Sequence, residues 1–589
     1  MKYPTLYTKQ NSRQMVDEFR GYNHNMRIGD GEFFDMKNMT ADHYPVLSPR
    51  GKRGVYASPA APNGLIAKDA LCYVDGAKFV INEKEIPMGL NNEPKQLISM
   101  GAYVIIMPDK KYINTKDLTD FGNIEAFFTA ASARYAMCKV DGTEYGEIEQ
   151  KATPPENPEN MQLWIDISST PHVLKQYSNT SAVWNQVATT YVRISAPGIA
   201  KDFKQYDAVK ISGLPLQLYD MNEQNCVLWD AYHDPGDSEL SRAEGTNDYI
   251  VIVGILDEAI TYDSKLTMER TMPIMDFVIE SDNRLFGCRY GPAANGEVVN
   301  EIYASKLGDF RNWNCFMQIS TDSWVGSCGT DGQFTGAITH MGYPLFFKEN
   351  CVHKVYGKYP ANFQIQTTAC AGVQGGCEKS LAIVNTTLFY KSRNGVCAYD
   401  GSLPTEASYA LGNEAYNNAV GGAHGNKYYI SMTDIQGEHN LFVFDAAKGM
   451  WHKEDDVQIA QFCSCRGEMY AISGGKIITM LGSGVPATDP VEWMVQTGEI
   501  GISSPDMKYI SRLTMRMLLD NGSEVRIYAQ YDFSDEWESL ATMQSTSLRS
   551  FSLPIRPKRC DHMKLRIEGV GMAKIYSITK TIEQGSELS

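Results

Sequence analysis

The chain has 589 residues, with 70 Asp and Glu against 54 Lys and Arg and a net charge of −16. That length calls for a large core and more than one domain, and 49 glycines with an aromatic fraction of 11% exclude a disordered chain. The acidity excludes a general long-range attraction to nucleic acid or anionic lipid, and no run approaches the roughly 18 continuous apolar residues of a spanning helix.

In chain order, the opening Met1-Lys2-Tyr3-Pro4-Thr5-Leu6-Tyr7 lacks the apolar stretch of a secretory signal, so the protein is expected to be made and kept in a cytosol. Residues 1–55 read as an extended docking arm. Apolar residues rarely recur at three and four, whereas short alternating runs bounded by Gly, Asn and Asp recur throughout, the pattern of strands and tight turns. One unit repeats, and its apolar central strand reads first at Leu71-Cys72-Tyr73-Val74 and Tyr103-Val104-Ile105-Ile106, within 56–119.

A gap of about 180 residues then marks an insertion at 120–270. Thr153-Pro154-Pro155-Glu156-Asn157-Pro158 reads as an exposed loop within it. Strands are predicted at Tyr206-Asp207-Ala208-Val209-Lys210-Ile211 and Tyr249-Ile250-Val251-Ile252-Val253, and helix near Asn123 to Met137, with Ile124, Phe127 and Phe128 on one face. The segment is expected to fold as a small β-rich domain.

The repeat resumes over 271–485, with centres at Leu285-Phe286-Gly287-Cys288, Leu345-Phe346-Phe347, Leu388-Phe389-Tyr390, Tyr428-Tyr429-Ile430 and Met469-Tyr470-Ala471-Ile472. From Leu345 onward the spacing is about 40 residues, the period of a four-stranded propeller blade. One small twisted sheet cannot cover both its faces, and stacking blades about an axis does so. Seven centres predict seven blades, or six if the first two share one. Over 486–589, Arg512-Leu513-Thr514-Met515-Arg516-Met517 and Glu524-Val525-Arg526-Ile527-Tyr528-Ala529 flank Asn521-Gly522, which predicts a hairpin inside a C-terminal β-sandwich. The fold class is all-β: a β-propeller with an inserted β-rich domain and a C-terminal β-sandwich.

The stretch Asp30-Gly31-Glu32-Phe33-Phe34-Asp35-Met36-Lys37-Asn38-Met39, followed by Pro45-Val46-Leu47-Ser48-Pro49-Arg50, resembles the opening of phage tail propeller proteins, the nozzle or tail-hub proteins of short-tailed phages and related virion proteins. Gly101-Ala102-Tyr103-Val104-Ile105-Ile106-Met107-Pro108-Asp109, the run Asn283-Arg284-Leu285-Phe286-Gly287 leading to Ile302-Tyr303-Ala304-Ser305 and Asn312-Trp313, and the closing Gly585-Ser586 extend the likeness. The resemblance implies a homo-oligomeric ring, a hexamer, that joins other neck, tail or portal-adaptor proteins around a channel for DNA, and the net charge of −16 predicts that the DNA passes without specific binding.

Motifs of catalysis are scarce. The chain has no Gly-x-Ser-x-Gly elbow, no complete phosphate loop and no His-Glu-x-x-His helix. Ser473-Gly474-Gly475-Lys476 reads as a blade turn, and Ser320-Thr321-Asp322-Ser323-Trp324 matches the repeated turn of sialidase propellers in part and once. His340, His353, His424, His439 and His452 read as hydrogen-bonded blade residues. His233-Asp234-Pro235-Gly236-Asp237 with Glu239 reads as a turn or a cation-binding loop. Arg50-Gly51-Lys52-Arg53 reads as a solvated loop or a phosphate contact. The thirteen cysteines, including Cys463-Ser464-Cys465, Cys370 and Cys377, read as free thiols packed as small hydrophobes.

These readings predict a non-enzymatic structural protein of a bacteriophage tail or neck, located in the virion and assembled in the host cytoplasm. No catalytic, cofactor-binding or metal residue is nominated, and no cofactor or membrane partner is expected. The alternative is a receptor- or glycan-binding propeller, or a glycan-processing enzyme, in which aromatic rings of the insertion or of blade loops stack on sugar.

Overall fold

Tight turns set the architecture. In the computed structural model, which describes residues 11–215, 218, 223–237, 242–293, 295–482, 490–502, 507–532, 534–544, 546–554 and 558–584, Ser473 and Lys476 pair across a hairpin whose Gly474 and Gly475 have φ of 54° and 75°. Positive φ at both central positions matches the twist of the flanking strands. Among the described residues helix is confined to three single 3₁₀ turns, Pro360–Asn362, Glu378–Ser380 and Tyr409–Leu411. The chain is all-β, a propeller with an inserted β-rich domain and a C-terminal sandwich.

Four-stranded antiparallel meanders lie at 62–87, 96–123, 277–327, 336–369 and 382–406. In each, the second strand is the apolar centre read from the sequence: Leu71–Asp75, Tyr103–Met107, Arg284–Pro292, Tyr343–Lys348 and Thr387–Ser392. Lys427–Asp434 and Glu468–Ser473 hold the same place in the strand runs at 416–453 and 461–479. The residues at 98–332 and 355–366 form one compact unit and the rest of the chain another.

In the larger unit, the strands Gln461–Cys465, Glu468–Ser473 and Lys476–Thr479 take their fourth strand from the other end of the chain: Gly54–Ala57 pairs antiparallel with Lys476–Thr479. An ionic lock secures this strand. Arg53 is 7% exposed and donates to Asp455 Oδ2 at 2.7 Å and Glu454 Oε2 at 2.5 Å, while Arg50 reaches Asp455 Oδ2 at 3.1 Å. The expected solvated or phosphate-binding basic loop is therefore corrected, because two of its three cations neutralise buried carboxylates and only Lys52 faces solvent.

Gly21–Tyr22 and Glu32–Lys37 of the N-terminal arm splice the 416–453 strands to the C-terminal sandwich, through Tyr22 opposite Trp451 and Met36 opposite Val495, giving one ten-stranded sheet. The second layer is Asn11–Val16, Ala573–Gln584, Lys508–Leu519 and Arg549–Leu553. The hairpin expected across Asn521-Gly522 does not form. Lys508–Leu519 pairs with Ala573–Gln584, whereas Glu524–Tyr531 pairs with Met563–Val570 in the other layer. Gly522 still turns the chain, with φ of 80°, but the turn passes between layers and sets Leu513, Met515 and Met517 in the same core as Val525, Ile527 and Ala529.

In the smaller unit, Ile105 and Ile124 share a core with Val278, Leu285, Phe310 and Trp313. The insertion builds three sheets around a core that includes Tyr135, Ile165, Leu174, Ile194, Ile211 and Ile250. The helix expected near Asn123 to Met137 is instead the strands Ala126–Ala130 and Ala133–Cys138. Ile124 is buried but Phe127 is 64% exposed, so the residues alternate in and out and share no helical face. At the foot of the insertion Arg270 pairs with the buried Asp207, and Asn312 donates to Asp207 Oδ1 at 3.3 Å while accepting from the Ala208 N–H at 2.7 Å.

Removing one partner of a buried ion pair costs about 3–5 kcal/mol, whereas an exposed pair contributes about 0–1 kcal/mol. Arg53→Ala is expected to lower the urea midpoint of the major unfolding transition sharply. Arg393→Ala, which removes an exposed pair with Glu349, is expected to leave it nearly unchanged.

Candidate functional site

Most polar residues singled out in the sequence have structural duties. Asp234 accepts from the N–H groups of Gly236 at 3.0 Å and Asn247 at 3.2 Å and from Arg242 at 3.1 Å. Asp248 accepts from the N–H of Asp234 at 2.7 Å and from His233 Nδ1 at 2.9 Å, and the other ring nitrogen of His233 faces Glu244 at 2.9 Å. These acids serve N–H donors, and among the described residues no His, Cys, Asp or Glu cluster is arranged for a metal. Glu239 lies outside the described residues, as do the opening heptapeptide and Gly585-Ser586.

His340 bonds the Thr386 carbonyl at 2.7 Å, His353 the Thr367 hydroxyl at 2.8 Å, His424 the Ser464 hydroxyl at 2.9 Å and His439 the Thr433 hydroxyl at 3.1 Å. Burial pushes His353 down to about 4 and His452 down to about 3, so both stay neutral near pH 7. Arg284, fully buried, donates to the carbonyls of Ser305 at 2.8 Å, Asp322 at 2.5 Å and Ser320 at 2.8 Å. The partial sialidase-like turn is thus clamped from within by an arginine two strands away in the same sheet. Burial pushes the thiols of Cys463 and Cys72 up to about 12, which suits packing and not nucleophilic chemistry.

Partly exposed polar and aromatic side chains gather on the insertion. Its five-stranded sheet, in the order Asp230–Tyr232, Tyr249–Val253, Tyr191–Ser195, Ala133–Cys138 and Ile260–Tyr262, turns Tyr135, Met137, Val192, Ile194, Ile250 and Ile252 into the core. On the opposite face Tyr232, Tyr249, Ser195, Arg134 and Thr261 stand directly opposite one another across all five strands. At about 4.8 Å per strand this row runs roughly 19 Å. Its members are half-buried or exposed.

Charge and stacking hold the row in place. Arg134 makes two parallel bonds to Glu144, at 2.5 and 2.7 Å, and Arg193 lies 3.7 Å from the same carboxylate. The Arg193 guanidinium sits 3.9 Å from the centre of the Tyr249 ring, and Tyr232 stacks on Tyr249 with centroids 5.3 Å apart and planes 22° apart. Gly142 is required here: its φ is 76°, and a Cβ would come within 2.3 Å of the Tyr249 ring. The bonds from Arg134 hold the Glu144 carboxyl below its ordinary 4.5.

At the Arg134 end the row opens into a cleft of about 480 Å³ lined by Glu144, Tyr145, Glu147, Asp257 and Glu258, within the size range of small-molecule sites. Asp257 Oδ1 meets His172 Nδ1 at 2.7 Å. Rings, fixed cations and fixed carboxylates along one line can grip a polyhydroxylated ligand, and paired carboxylates are the groups that hydrolyse glycosidic bonds. The sequence reading missed this site. Its one local signal is the polar-apolar alternation of Tyr191-Val192-Arg193-Ile194-Ser195, which marks an outward polar face but not its neighbours.

No family model and no curated protein matches the chain. Among solved structures it is similar to the exo-β-1,3-galactanase of Phanerochaete chrysosporium with galactose, at 9% identity and TM-score 0.21 over 51% of this chain and 94% of that one. A GH43 glycoside hydrolase engineered to display both endo-xylanase and exo-arabinofuranosidase activity matches at 9% identity and TM-score 0.20, over 52% and 96%. The sialidase of Trypanosoma rangeli with 2,3-difluorosialic acid matches at 7% identity and TM-score 0.18, over 92% and 96%.

The expectation of a non-enzymatic virion tail protein is corrected on this finding: the three structures named are glycoside hydrolases and a sialidase, and none is a virion tail protein. The residues give the physical reason. Gly101 is a turn glycine with φ of 55°, Arg284 caps buried carbonyls, Ser305 accepts from the Leu285 N–H at 3.0 Å and Trp313 bonds the Phe310 carbonyl at 2.9 Å. These four residues serve local backbone and packing needs, which proteins of unrelated function share.

A carboxyl whose folded-state pKa is depressed adds stability that is complete above its ordinary value and is lost as pH falls through the folded one. Glu144→Gln is therefore expected to unfold at a lower temperature than the native chain at pH 7. The gap is expected to close as pH falls below 4.5, and thermal scans of both proteins from pH 7 to strong acid check it.

Proposed function

We propose that this chain is a glycan-processing propeller protein that engages its substrate on the inserted domain. The observation that carries the reading is the row of Tyr232, Tyr249, Ser195 and Arg134 running across one sheet face into an acid-lined cleft. A sugar ring presents an apolar C–H face and a rim of hydroxyls. Tyr232 supplies an open aromatic face with a polar tip, and Arg134, Ser195 and Glu144 supply donors and an acceptor for the rim.

The row is prepaid in order: the arginine–carboxylate fork and the tyrosine stack are formed before any ligand arrives, so little side-chain freedom is lost on binding. Hydrolysis needs one ionised carboxylate and one proton donor flanking the bond. Glu144 is held ionised by Arg134, and Glu147, Asp257 and Glu258 share its cleft.

A glycan array read alongside a reducing-end release assay tests the proposal. The expected result is binding of an oligosaccharide that weakens about 10-fold or more, roughly 1.4 kcal/mol, in Tyr232→Ala and in Arg134→Ala. Release of reducing ends is expected to fall in Glu147→Gln or Asp257→Asn with binding retained. Folded protein that binds and cleaves no glycan on the array, or binding indifferent to both row variants, would overturn it.

A further inference from the structure

A second face of the insertion has the same kind of chemistry in a different arrangement. The small sheet of Glu149–Lys151, Leu163–Asp166, Val173–Ser178 and Val183–Gln186 sends Ile165 and Leu174 into the core. On its outer face the register sets Glu149, Trp164, Lys175 and Gln186 in one row, with Tyr177 opposite Trp184 in the next. Trp164 is the buried floor, its indole N–H bonded to the Lys151 carbonyl at 3.0 Å. Trp184 meets it edge-on at 5.3 Å, and Tyr177 lies 5.3 Å from Trp184. Both upper rings are only half-buried.

Charge and area decide what covers these rings. Lys175 pairs with Asp166 at 2.7 Å and Lys151 with Glu149, so the ions of this face cancel and it offers nothing to an anionic ligand. One Trp and one Tyr side chain present at most about 150–250 Å² each, short of the roughly 800 Å² per partner of a stable protein interface. The planes of Tyr177 and Trp184 are 56° apart, so the pair offers two separate ring faces, each of a size to stack on one sugar residue. Beside them the Pro154-Pro155 loop borders an open cleft of about 610 Å³ lined by Glu149, Lys151, Glu156, Asn157 and Gln162, which supplies hydrogen-bonding groups for flanking hydroxyls.

We infer that the Trp184–Tyr177 face is a second carbohydrate-binding surface, one that takes a neutral glycan by ring stacking; the inference rests on the glycan reading proposed above. It makes the insertion bivalent, so a polymer held at both places dissociates more slowly than from either alone.

Neutral β-linked gluco-, xylo- and galacto-oligosaccharides and a sialylated oligosaccharide, titrated into the full chain with tryptophan fluorescence as readout, test it. The neutral sugars are expected to change the emission and the sialylated one not. The change is expected to vanish in Trp184→Ala, to persist in part in Trp184→Phe, which keeps a ring, and to survive in Tyr232→Ala. Glycan binding that is lost in Tyr232→Ala yet unaltered in Trp184→Ala and Tyr177→Ala would overturn this inference and leave the first reading standing. A stronger response to the sialylated sugar would overturn the neutral assignment, and no response to any sugar in folded protein would overturn both readings.

Discussion

The sheet at 461–479 holds three strands of the four-stranded unit, and the N-terminal arm supplies the fourth. The strands at 461–479 lack an outer neighbour until Gly54–Ala57 arrives from the far end of the sequence. An unpaired edge leaves backbone donors and acceptors exposed for intermolecular pairing. The Arg50 and Arg53 lock to Glu454 and Asp455 sits beside this seam, where burial makes a missing partner far more damaging than a broken surface pair. The same arm continues into the ten-stranded sheet, so the C-terminal sandwich inherits its alignment from the segment that completes the last blade.

Buried arginines are the recurring cement. Arg53 takes two carboxylates, Arg284 takes backbone carbonyls alone, and Arg270 takes Asp207 together with the Ile124 carbonyl at 3.0 Å and the Asp202 carbonyl at 3.1 Å. A guanidinium carries five donors in a rigid fork and cannot shed its charge, so each buried one dictates the course of several chain segments at once. The run Asn283-Arg284-Leu285 meets such a demand inside a blade, and Asn312 meets Asp207, the partner of Arg270, at the foot of the insertion. With the blade polar groups occupied in this way, the ordered but open polar surface lies on the insertion, where arginines stack on rings and pair with partly exposed acids.

Strand positions were legible in the sequence because alternation and turn chemistry are local. The apolar centres from Leu71 to Met469 and the glycine turn at Gly474-Gly475 follow from residues within a few positions of one another. Pairing was not legible. Asn521-Gly522 dictates a reversal, but whether the flanking strands share a sheet depends on which apolar faces meet, and here Met515 and Ile527 meet across two layers. Ile124, Phe127 and Phe128 fit a helical face on spacing alone, and only the strand partners of Ala126–Ala130 and Ala133–Cys138 decide against it.

The sequence by itself determined an all-β chain of repeated blades interrupted by an insertion, because period and turn residues are properties of neighbours in the chain. Tertiary structure alone decided the site. Tyr232, Tyr249, Ser195 and Arg134 come from four strands separated by tens of residues and become one row only through sheet register. The Arg50 and Arg53 charges, open to any partner in the sequence, were assigned by burial against Glu454 and Asp455, since a cation removed from water is held only where folding delivers an acid to meet it.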